Sequence, residues 1–200
     1  MRNRMYVAGV DEAGRGPLAG PVTAAAVILE PGYLNPKITD SKKLSEKKRD
    51  LLYDEIIKES LAYSIVSVGA RRIDQLNILR ASLHAMDLAA ERISKIVDTN
   101  NICFLIDGNF AIGNKFQSEP IIKGDGKIQS IAAASILAKV TRDRLMDVLE
   151  ARYPGYEFSK HKGYPTKLHK EKICSLRPSP VHRNTFRGVK EHLDSVPTAT

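Results

Sequence analysis

Four acidic residues that follow apolar, strand-like runs are the feature of this chain best suited to chemistry. Asp11 and Glu12 come directly after the first run, whereas Asp107 and Asp125 follow two later ones. Because ligands of open sheets collect beyond the carboxyl ends of strands, these carboxylates would lie together and repel one another. Divalent cations relieve such repulsion, and oxygen ligands favour Mg²⁺ or Mn²⁺. The four acids together predict a metal site, although any one of them alone is more often a turn former or a helix cap.

A glycine-rich turn follows the first two acids. Adjacent residues of a straight strand face opposite ways, so Asp11 and Glu12 need a local twist if both are to face one site. Gly14 offers a place for that twist. The sequence Gly14-Arg15-Gly16 also has no bulky side chain at either end, so its backbone can approach a ligand closely. The alternative is a plain tight turn that carries a surface arginine.

Two nucleotide-binding motifs nearly match this turn, and both fail on context. The spacing from Gly9 to Gly14 is that of a phosphate loop, but Arg15 stands where the lysine is required. A dinucleotide fingerprint starting at Gly14 is interrupted by Pro17, and a strand-like run follows it instead of a helix. A nucleotide-binding α/β protein therefore stays only as an alternative.

Positive charge is concentrated in the last quarter of the chain. The 200 residues carry a formal charge of +8, and residues 151–200 hold 10 basic against 4 acidic side chains. A basic segment with interleaved aromatics suits a polyanion with stackable bases, but it could equally serve solubility. Five of the 12 aromatic residues lie there: Tyr153, Tyr156, Phe158, Tyr164 and Phe186.

Histidines and cysteines exclude several other classes of site. Neither cysteine has zinc-ligand spacing, and a single possible pair is no disulfide framework, so we expect a reducing, cytoplasmic setting. Neither a membrane span nor a secretion signal is recognisable. Histidine pairs could cleave RNA without metal, but solvated histidines facing a nucleic acid are the favoured interpretation. The basic segment holds four of them: His161, His169, His182 and His192.

Alternating strand and helix patterns predict an α/β domain with a mixed sheet covered by helices. We expect a catalytic domain over residues 1–150 and a basic, mainly helical subdomain for substrate binding over residues 151–200. Asp74 is predicted to cap one long helix with a continuous apolar stripe. The predicted strands are 6–10, 22–29, 62–69 and 102–106, and the predicted helices are 45–61, 74–97, 130–150 and 166–175.

Six segments of the chain resemble motifs of ribonuclease HII, the type 2 ribonucleases H. They are residues 9–22, 40–45, 106–108, 123–125, 131–143 and 161–164. The resemblance implies a ribonuclease H-like fold with a mixed five-stranded sheet, flanking helices and a small helical carboxyl-terminal subdomain. The related ribonuclease HIII lacks the arginine of the Gly-Arg-Gly motif and has an additional amino-terminal domain, which argues against the type 3 enzyme.

The same resemblance implies an endonuclease that cuts the RNA strand of RNA–DNA hybrids and cuts 5′ of single ribonucleotides in duplex DNA. It implies that Gly14, Arg15 and Gly16 read the ribose 2′-hydroxyl and that Tyr164 senses the RNA-to-DNA junction. The acidic quartet that it implies is the set already isolated: Asp11, Glu12, Asp107 and Asp125.

Metal-assisted hydrolysis is the mechanism we expect from these residues. Two divalent ions about 3.5–4 Å apart would be held by the four acids, with Asp11 bridging them, and would leave 3′-hydroxyl and 5′-phosphate ends. We expect a monomer whose partners are RNA–DNA hybrid and ribonucleotide-containing duplex DNA. The non-enzymatic alternative is a hybrid-binding module with structural acids. The predicted phosphate contacts are Lys42, Lys43, Lys139 and Arg142.

Overall fold

The fold is built on one mixed five-stranded sheet, seen in a computed structural model that describes residues 5–97, 101–113 and 115–193. The spatial order is β3-β2-β1-β4-β5. The first three strands are antiparallel neighbours, whereas β4 runs parallel to β1 and β5 runs parallel to β4. The α/β class and the five-stranded mixed sheet are thereby confirmed. The strands are β1 (Tyr6–Ala13), β2 (Val22–Leu29), β3 (Ser60–Val68), β4 (Ile102–Asp107) and β5 (Ser118–Ile121).

Helices cover both faces of the sheet. On one face, α2 and α3 bury an apolar core with Ala8, Val10 and Phe104. On the other, α1 and α4 pack on Ala25 and Val27. The helices are α1 (Glu46–Glu59), α2 (Ala70–Leu76), α3 (Ile78–Ser94), α4 (Gln129–Arg152), α5 (Phe158–His161) and α6 (Lys167–Leu176). Since β1, β4 and β5 are parallel, their carboxyl ends meet at one edge of the sheet.

Helix α4 lies unusually close to the central strand because of one glycine. A Cβ atom added to Gly9 would be 2.1 Å from the carbonyl carbon of Ser130, far inside van der Waals contact. Three consecutive alanines, at positions 132–134, continue the small-residue contact along the helix. The backbones of β1 and α4 therefore touch directly, and this contact fixes the helix over the strand that carries Asp11.

The predicted helix over residues 74–97 is two helices. Asn77 has a φ of 66°, in the left-handed region, and its side chain accepts a hydrogen bond from the backbone of Arg80. The prediction that Asp74 caps a long helix is therefore wrong, and Asn77 caps α3 instead. The Asp74 carboxylate binds the distant backbone amides of Asn184 and Thr185, each at 2.9 Å.

The carboxyl-terminal part of the chain packs on the far end of α4. Tyr156 and Phe158 stack in parallel with ring centroids 5.2 Å apart and enclose a small core with Ala19 and Met146. The predicted short helix near 166–175 is present as α6, capped by Thr166. Residues 194–200, the end of the predicted subdomain, lie outside the described residues. No helix of the described ranges has the length and apolarity needed to cross a bilayer.

Candidate active site

Three carboxylates from three separate elements meet at the carboxyl edge of the sheet. Asp11 lies on β1, Asp107 is the last residue of β4, and Asp125 lies in a short 3₁₀ turn before α4. Each offers an oxygen atom, and these oxygens all lie within 4.8 Å of one another. The structure thus brings together three of the four predicted acids. One detail differs, because Asp11 and Glu12 lie within β1 and not beyond its end.

Hydrogen bonds orient these carboxylates. The backbone amide of Gly124 donates to Asp107 Oδ1 at 2.7 Å, and that of Glu12 donates to Asp11 Oδ1 at 2.7 Å. The hydroxyl of Ser135, on α4, favours the charged form of the Asp11 carboxylate and so lowers its pKa against the effect of burial. Ser135 Oγ lies 2.9 Å from Ser41 Oγ, so the Ser41 hydroxyl donates to Ser135 when the Ser135 proton is used on Asp11. Asp11 is therefore fixed from both its own strand and the facing helix.

The electrostatics of the cluster favour an added positive charge. Burial raises the pKa of Asp11 well above its ordinary value, and repulsion from Glu12 and Asp107 raises it further. Burial and the charge of Asp107 also raise the pKa of Asp125. The ammonium of Lys42 lies beside the cluster, with Nζ 3.8 Å from Asp125 Oδ2, but its side chain is 82% exposed. Such a distant, solvated charge compensates the cluster only weakly.

The donor set fits a divalent metal ion. Asp11, Asp107 and Asp125 present hard carboxylate oxygens only, with no histidine or cysteine in the group. A cation among them would stabilise the charged forms that burial and repulsion now disfavour. The arrangement therefore suits Mg²⁺ or Mn²⁺ better than a softer metal.

Glu12 stands apart from this group of three. Its Oε1 accepts a hydrogen bond from Arg15 Nη1 at 3.3 Å. Burial raises the pKa of Glu12, although Arg15 opposes the shift. Glu12 lines the groove next to the glycine-rich turn, together with Ser135 and Lys139 of α4. Glu12 remains a predicted ligand, with one of its two carboxylate oxygens held by Arg15.

A groove of about 240 Å³ opens beside the acids. Gly14, Arg15 and Gly16 form one wall together with Glu12, and Tyr164 forms part of the other. Gly14 has a φ of 98°, in the left-handed region that favours glycine, at the point where β1 gives way to the turn. An added Cβ at Gly16 would approach the Tyr164 ring to 3.8 Å, so the turn and the ring face each other across a narrow space. Tyr164 is 40% exposed and thus available to a ligand.

The predicted phosphate contacts fall into two groups. Lys42 and Lys139 line the groove, and Lys43 is exposed in the same turn as Lys42. Arg142 differs, because it is fully buried and donates to the carbonyls of Pro21, Ala19 and Lys162. The structure therefore does not support a phosphate contact by Arg142. Its guanidinium instead binds backbone carbonyls of two separate segments and so connects them.

A family model described as Ribonuclease HII matches residues 8–189. The chain belongs to the ribonuclease HII family. Ribonuclease HII of Geobacter sp. (strain M21) is 50% identical over 196 residues, which are 98% of this chain and 84% of that protein. Ribonuclease HII of Syntrophotalea carbinolica is 47% identical over 187 residues, which are 94% of this chain and 88% of that protein.

The fold agrees with that assignment. The crystal structure of ribonuclease H2 from Pyrococcus horikoshii OT3 is similar with a TM-score of 0.70 and 26% identity, covering 94% of this chain and 96% of that one. As a ribonuclease HII, the protein is a hydrolase, a nuclease that acts on RNA–DNA hybrids. The family depends on divalent metal ions, in keeping with the three-acid group.

Three of the four tail histidines of this ribonuclease HII are buried, so the prediction that they are solvated is wrong for His161, His169 and His182. The amide of Ser179 donates to His182 Nδ1 at 2.9 Å, which places the proton of His182 on Nε2. That nitrogen lies 3.1 Å from His169 Nε2, and His169 Nδ1 then donates to the carbonyl of Tyr164 at 3.0 Å. This series of hydrogen bonds requires the imidazole rings of His169 and His182 to be neutral. It ends on the backbone carbonyl of Tyr164, the tyrosine that lines the groove.

Acid should therefore destabilise this enzyme through its histidines. Burial lowers the pKa of His169 to about 4 and that of His182 to about 3, against an ordinary value near 6.5. Because the unfolded chain takes up protons that the folded chain does not, their contribution to stability is complete above pH 6.5. It is lost as pH falls from there to about 4 for His169 and about 3 for His182. Urea unfolding of the wild type should show this loss between pH 7 and 5.5.

The matched variant is His182→Gln, which keeps a donor toward His169 but cannot be protonated. Relative to wild type, its free energy of unfolding should lose about 1 kcal/mol less over that pH interval. The site acids are the same in both proteins, so the difference isolates His182. Equal pH dependence in the two proteins would contradict the assigned proton positions.

Sequence reasoning missed three residues that support the site of this ribonuclease HII. Ser41 and Ser135 are buried behind Asp11, and Arg183 is buried behind the glycine-rich turn. A serine within the alanine- and isoleucine-rich helix pattern was a usable indication for Ser135. Nothing local marks Arg183, which lies more than 160 residues from the carbonyls that it binds.

Proposed function

We propose that this ribonuclease HII cuts duplex DNA 5′ of single embedded ribonucleotides as well as the RNA strand of RNA–DNA hybrids, leaving 3′-hydroxyl and 5′-phosphate ends. One observation carries the proposal. The group of Asp11, Asp107 and Asp125, with oxygens within 4.8 Å, lies beside a groove walled by the glycine-rich turn and Tyr164. Glu12 and Lys42 line that groove, and Lys42 Nζ lies 3.8 Å from Asp125 Oδ2, so a candidate cutting centre would adjoin a candidate reader of the sugar.

Asp11, Asp107 and Asp125 would hold the metal together with Glu12, one of whose oxygens is bound to Arg15. Two divalent ions, Mg²⁺ or Mn²⁺, when bound would activate water for attack and stabilise charge on the leaving 3′ oxygen. The residues of the chain supply orientation, because the Gly124 amide and the Ser135 hydroxyl fix the carboxylates on which that chemistry depends. Lys42, at the rim of the groove, would bind a phosphate once a metal ion neutralises the charge of Asp125.

Recognition would rest on the 2′-hydroxyl, which distinguishes RNA from DNA. The turn Gly14-Arg15-Gly16 has no bulky side chain at either end, which would let its backbone reach a ribose in the minor groove. Tyr164 faces them with its ring partly exposed and would stack on the sugar or base next to the scissile bond.

We further propose that residues 151–200 form the substrate-binding subdomain, supported by their excess of 10 basic over 4 acidic side chains. Lys43 and Lys139 would extend that basic surface toward the groove. A cytoplasmic monomer stays our prediction, and the free thiols of Cys103 and Cys174 are compatible with a reducing compartment.

The deciding experiment uses a labelled DNA duplex with one ribonucleotide, incubated with the protein in Mn²⁺, in Mg²⁺ and in excess chelator. We expect one cut 5′ of the ribonucleotide with either metal and none with chelator, and an all-DNA duplex should stay intact. Binding without any cut would favour the hybrid-binding module. A 2′,3′-cyclic phosphate product, or full activity in chelator, would refute metal-assisted hydrolysis.

Tyr164→Ala tests the junction-sensing role. If the ring stacks beside an RNA-to-DNA junction, its loss should lower kcat/KM on single-ribonucleotide DNA by about 10- to 100-fold and affect an all-RNA hybrid much less. Tyr63→Ala is the matched control, because Tyr63 has a similar exposure of 37% but lies on edge strand β3. An equal, small loss on both substrates would remove Tyr164 from recognition.

A further inference from the structure

Arg183 is a fully buried cation whose guanidinium binds both ends of the glycine-rich loop. Nη2 donates to the Gly14 carbonyl at 2.6 Å, and Nη1 donates to the Arg15 carbonyl at 2.9 Å. Nε donates to the carbonyl of Gly20 at 3.0 Å, and Nη2 also reaches that of Pro21 at 3.1 Å. One side chain therefore closes the loop from residue 14 to residue 21 into a ring.

Burying this cation is costly, so its position indicates a specific task. Desolvation lowers the pKa of Arg183 to about 9, and the nearby charge of Arg142 contributes to the same shift. Carbonyl oxygens and the ring of Phe186, 5.1 Å from the guanidinium carbon, compensate part of that cost. An aliphatic residue would fill the space without the desolvation cost of a buried charge, but it could not orient four carbonyls.

The backbone around Arg183 holds this residue in place. Its backbone amide donates to the carbonyl of Leu18 at 2.8 Å, inside the same loop. The next two backbone amides, of Asn184 and Thr185, bind the carboxylate of Asp74. Arg183 is thus fixed to the core on one side and to the loop on the other.

This clamp determines where the amides of the turn point. In a trans peptide the carbonyl of one residue and the amide of the next point in opposite directions, and the described chain has no cis peptide. Since the carbonyls of Gly14 and Arg15 face Arg183, the amides of Arg15 and Gly16 face away from it. Both residues line the groove, and within the described ranges neither amide has a hydrogen-bond partner.

We propose that Arg183 is a positioning residue for ribonucleotide recognition, holding the turn so that the Arg15 and Gly16 amides face the ribose of the substrate. This inference rests on the proposed function and adds a residue to it. Arg183 does not touch the substrate and acts only through the backbone of the turn. Its loss should therefore impair discrimination of ribose from deoxyribose while leaving general duplex binding in place.

The test compares Asp11→Asn with the double variant Asp11→Asn/Arg183→Lys in Mg²⁺, so that no turnover occurs. Fluorescence anisotropy gives the Kd for a duplex with one ribonucleotide and for the same duplex in all-DNA form. Lysine keeps the charge but cannot span four carbonyls, so the preference for the ribonucleotide duplex should fall about tenfold. The Kd for the all-DNA duplex should change by less than about twofold.

A structural role alone would weaken binding of both duplexes alike, and that result, or an unchanged preference, would overturn the inference. If Asp11→Asn itself shows no preference, the recognition proposed above fails and this inference fails with it. Arg92→Lys, which alters an arginine bound to the Ile65 carbonyl on strand β3, is the substitution control. If Arg183→Lys does not fold, Phe186→Leu keeps Arg183 but removes its ring contact and should lower the preference about threefold.

Discussion

Replacing Asp11 by asparagine is expected to lower cleavage of a ribonucleotide-containing duplex by about 10³-fold or more. The amide would keep the shape of the side chain but lose the charge that is central to the three-acid group. Substrate binding should survive, because it depends on basic contacts elsewhere. The measurement is single-turnover cleavage in Mg²⁺ or Mn²⁺, with anisotropy to record the Kd.

The same substitution should make the metal-free protein more stable. The Asp11 carboxylate is buried next to Asp107 and Glu12, and its raised pKa records the cost of ionising it there. A neutral isostere removes that cost, so the melting temperature in chelator should rise. Asp50→Asn, at a surface acid paired with Arg144, is the control and should change neither property appreciably. A lower melting temperature with activity retained would identify Asp11 as a structural acid.

The second large effect is expected from Gly9→Ala. A Cβ at this position would lie 2.1 Å from Ser130, on the backbone of α4, and backbone cannot rotate out of the way. The helix must move away from β1, which should cost about 3 kcal/mol in the free energy of unfolding. Because α4 carries Ser135 and directly follows the Asp125 turn, activity should fall as well. Urea unfolding and cleavage assays measure the two losses.

Gly69→Ala is the matched control for that experiment. Gly69 has open space around its added Cβ and an ordinary φ of −75°, so we expect a loss below about 1 kcal/mol and normal cleavage. If Gly9→Ala were as mild as this control, the direct contact between β1 and α4 would not determine the geometry of the site.

Periodicity predicted the elements that build the sheet, and topology explains where it failed. The strands at 22–29 and 102–106 and the helix at 130–150 were found because their apolar patterns are long and unambiguous. Periodicity gave no bounds for strand β5, because this edge strand has only four residues and includes Pro120. The break at Asn77 was hidden because an apolar stripe continues on both sides of it.

The acids of the site were predictable because each lies within three residues of the end of an apolar run, whatever the final packing. The residues behind them were not, because their partners are distant in sequence. His182 and Arg183 read as members of a solvated basic tail, yet both are buried against the loop and against other rings. Composition gives the charge of a segment but not which of its charges the fold removes from water.

The exit of β1 has a mechanical consequence. Asp11 and Arg15 lie four residues apart on one continuous backbone, which begins in the central strand and is clamped by Arg183. If the metal-binding acids direct the cut and the turn binds the sugar, the distance between these two sites is fixed by one short stretch of backbone. The cut would then fall at a constant offset from the ribonucleotide, because changing that offset would require stretching a segment whose first residues, Asp11 to Ala13, are paired with β2.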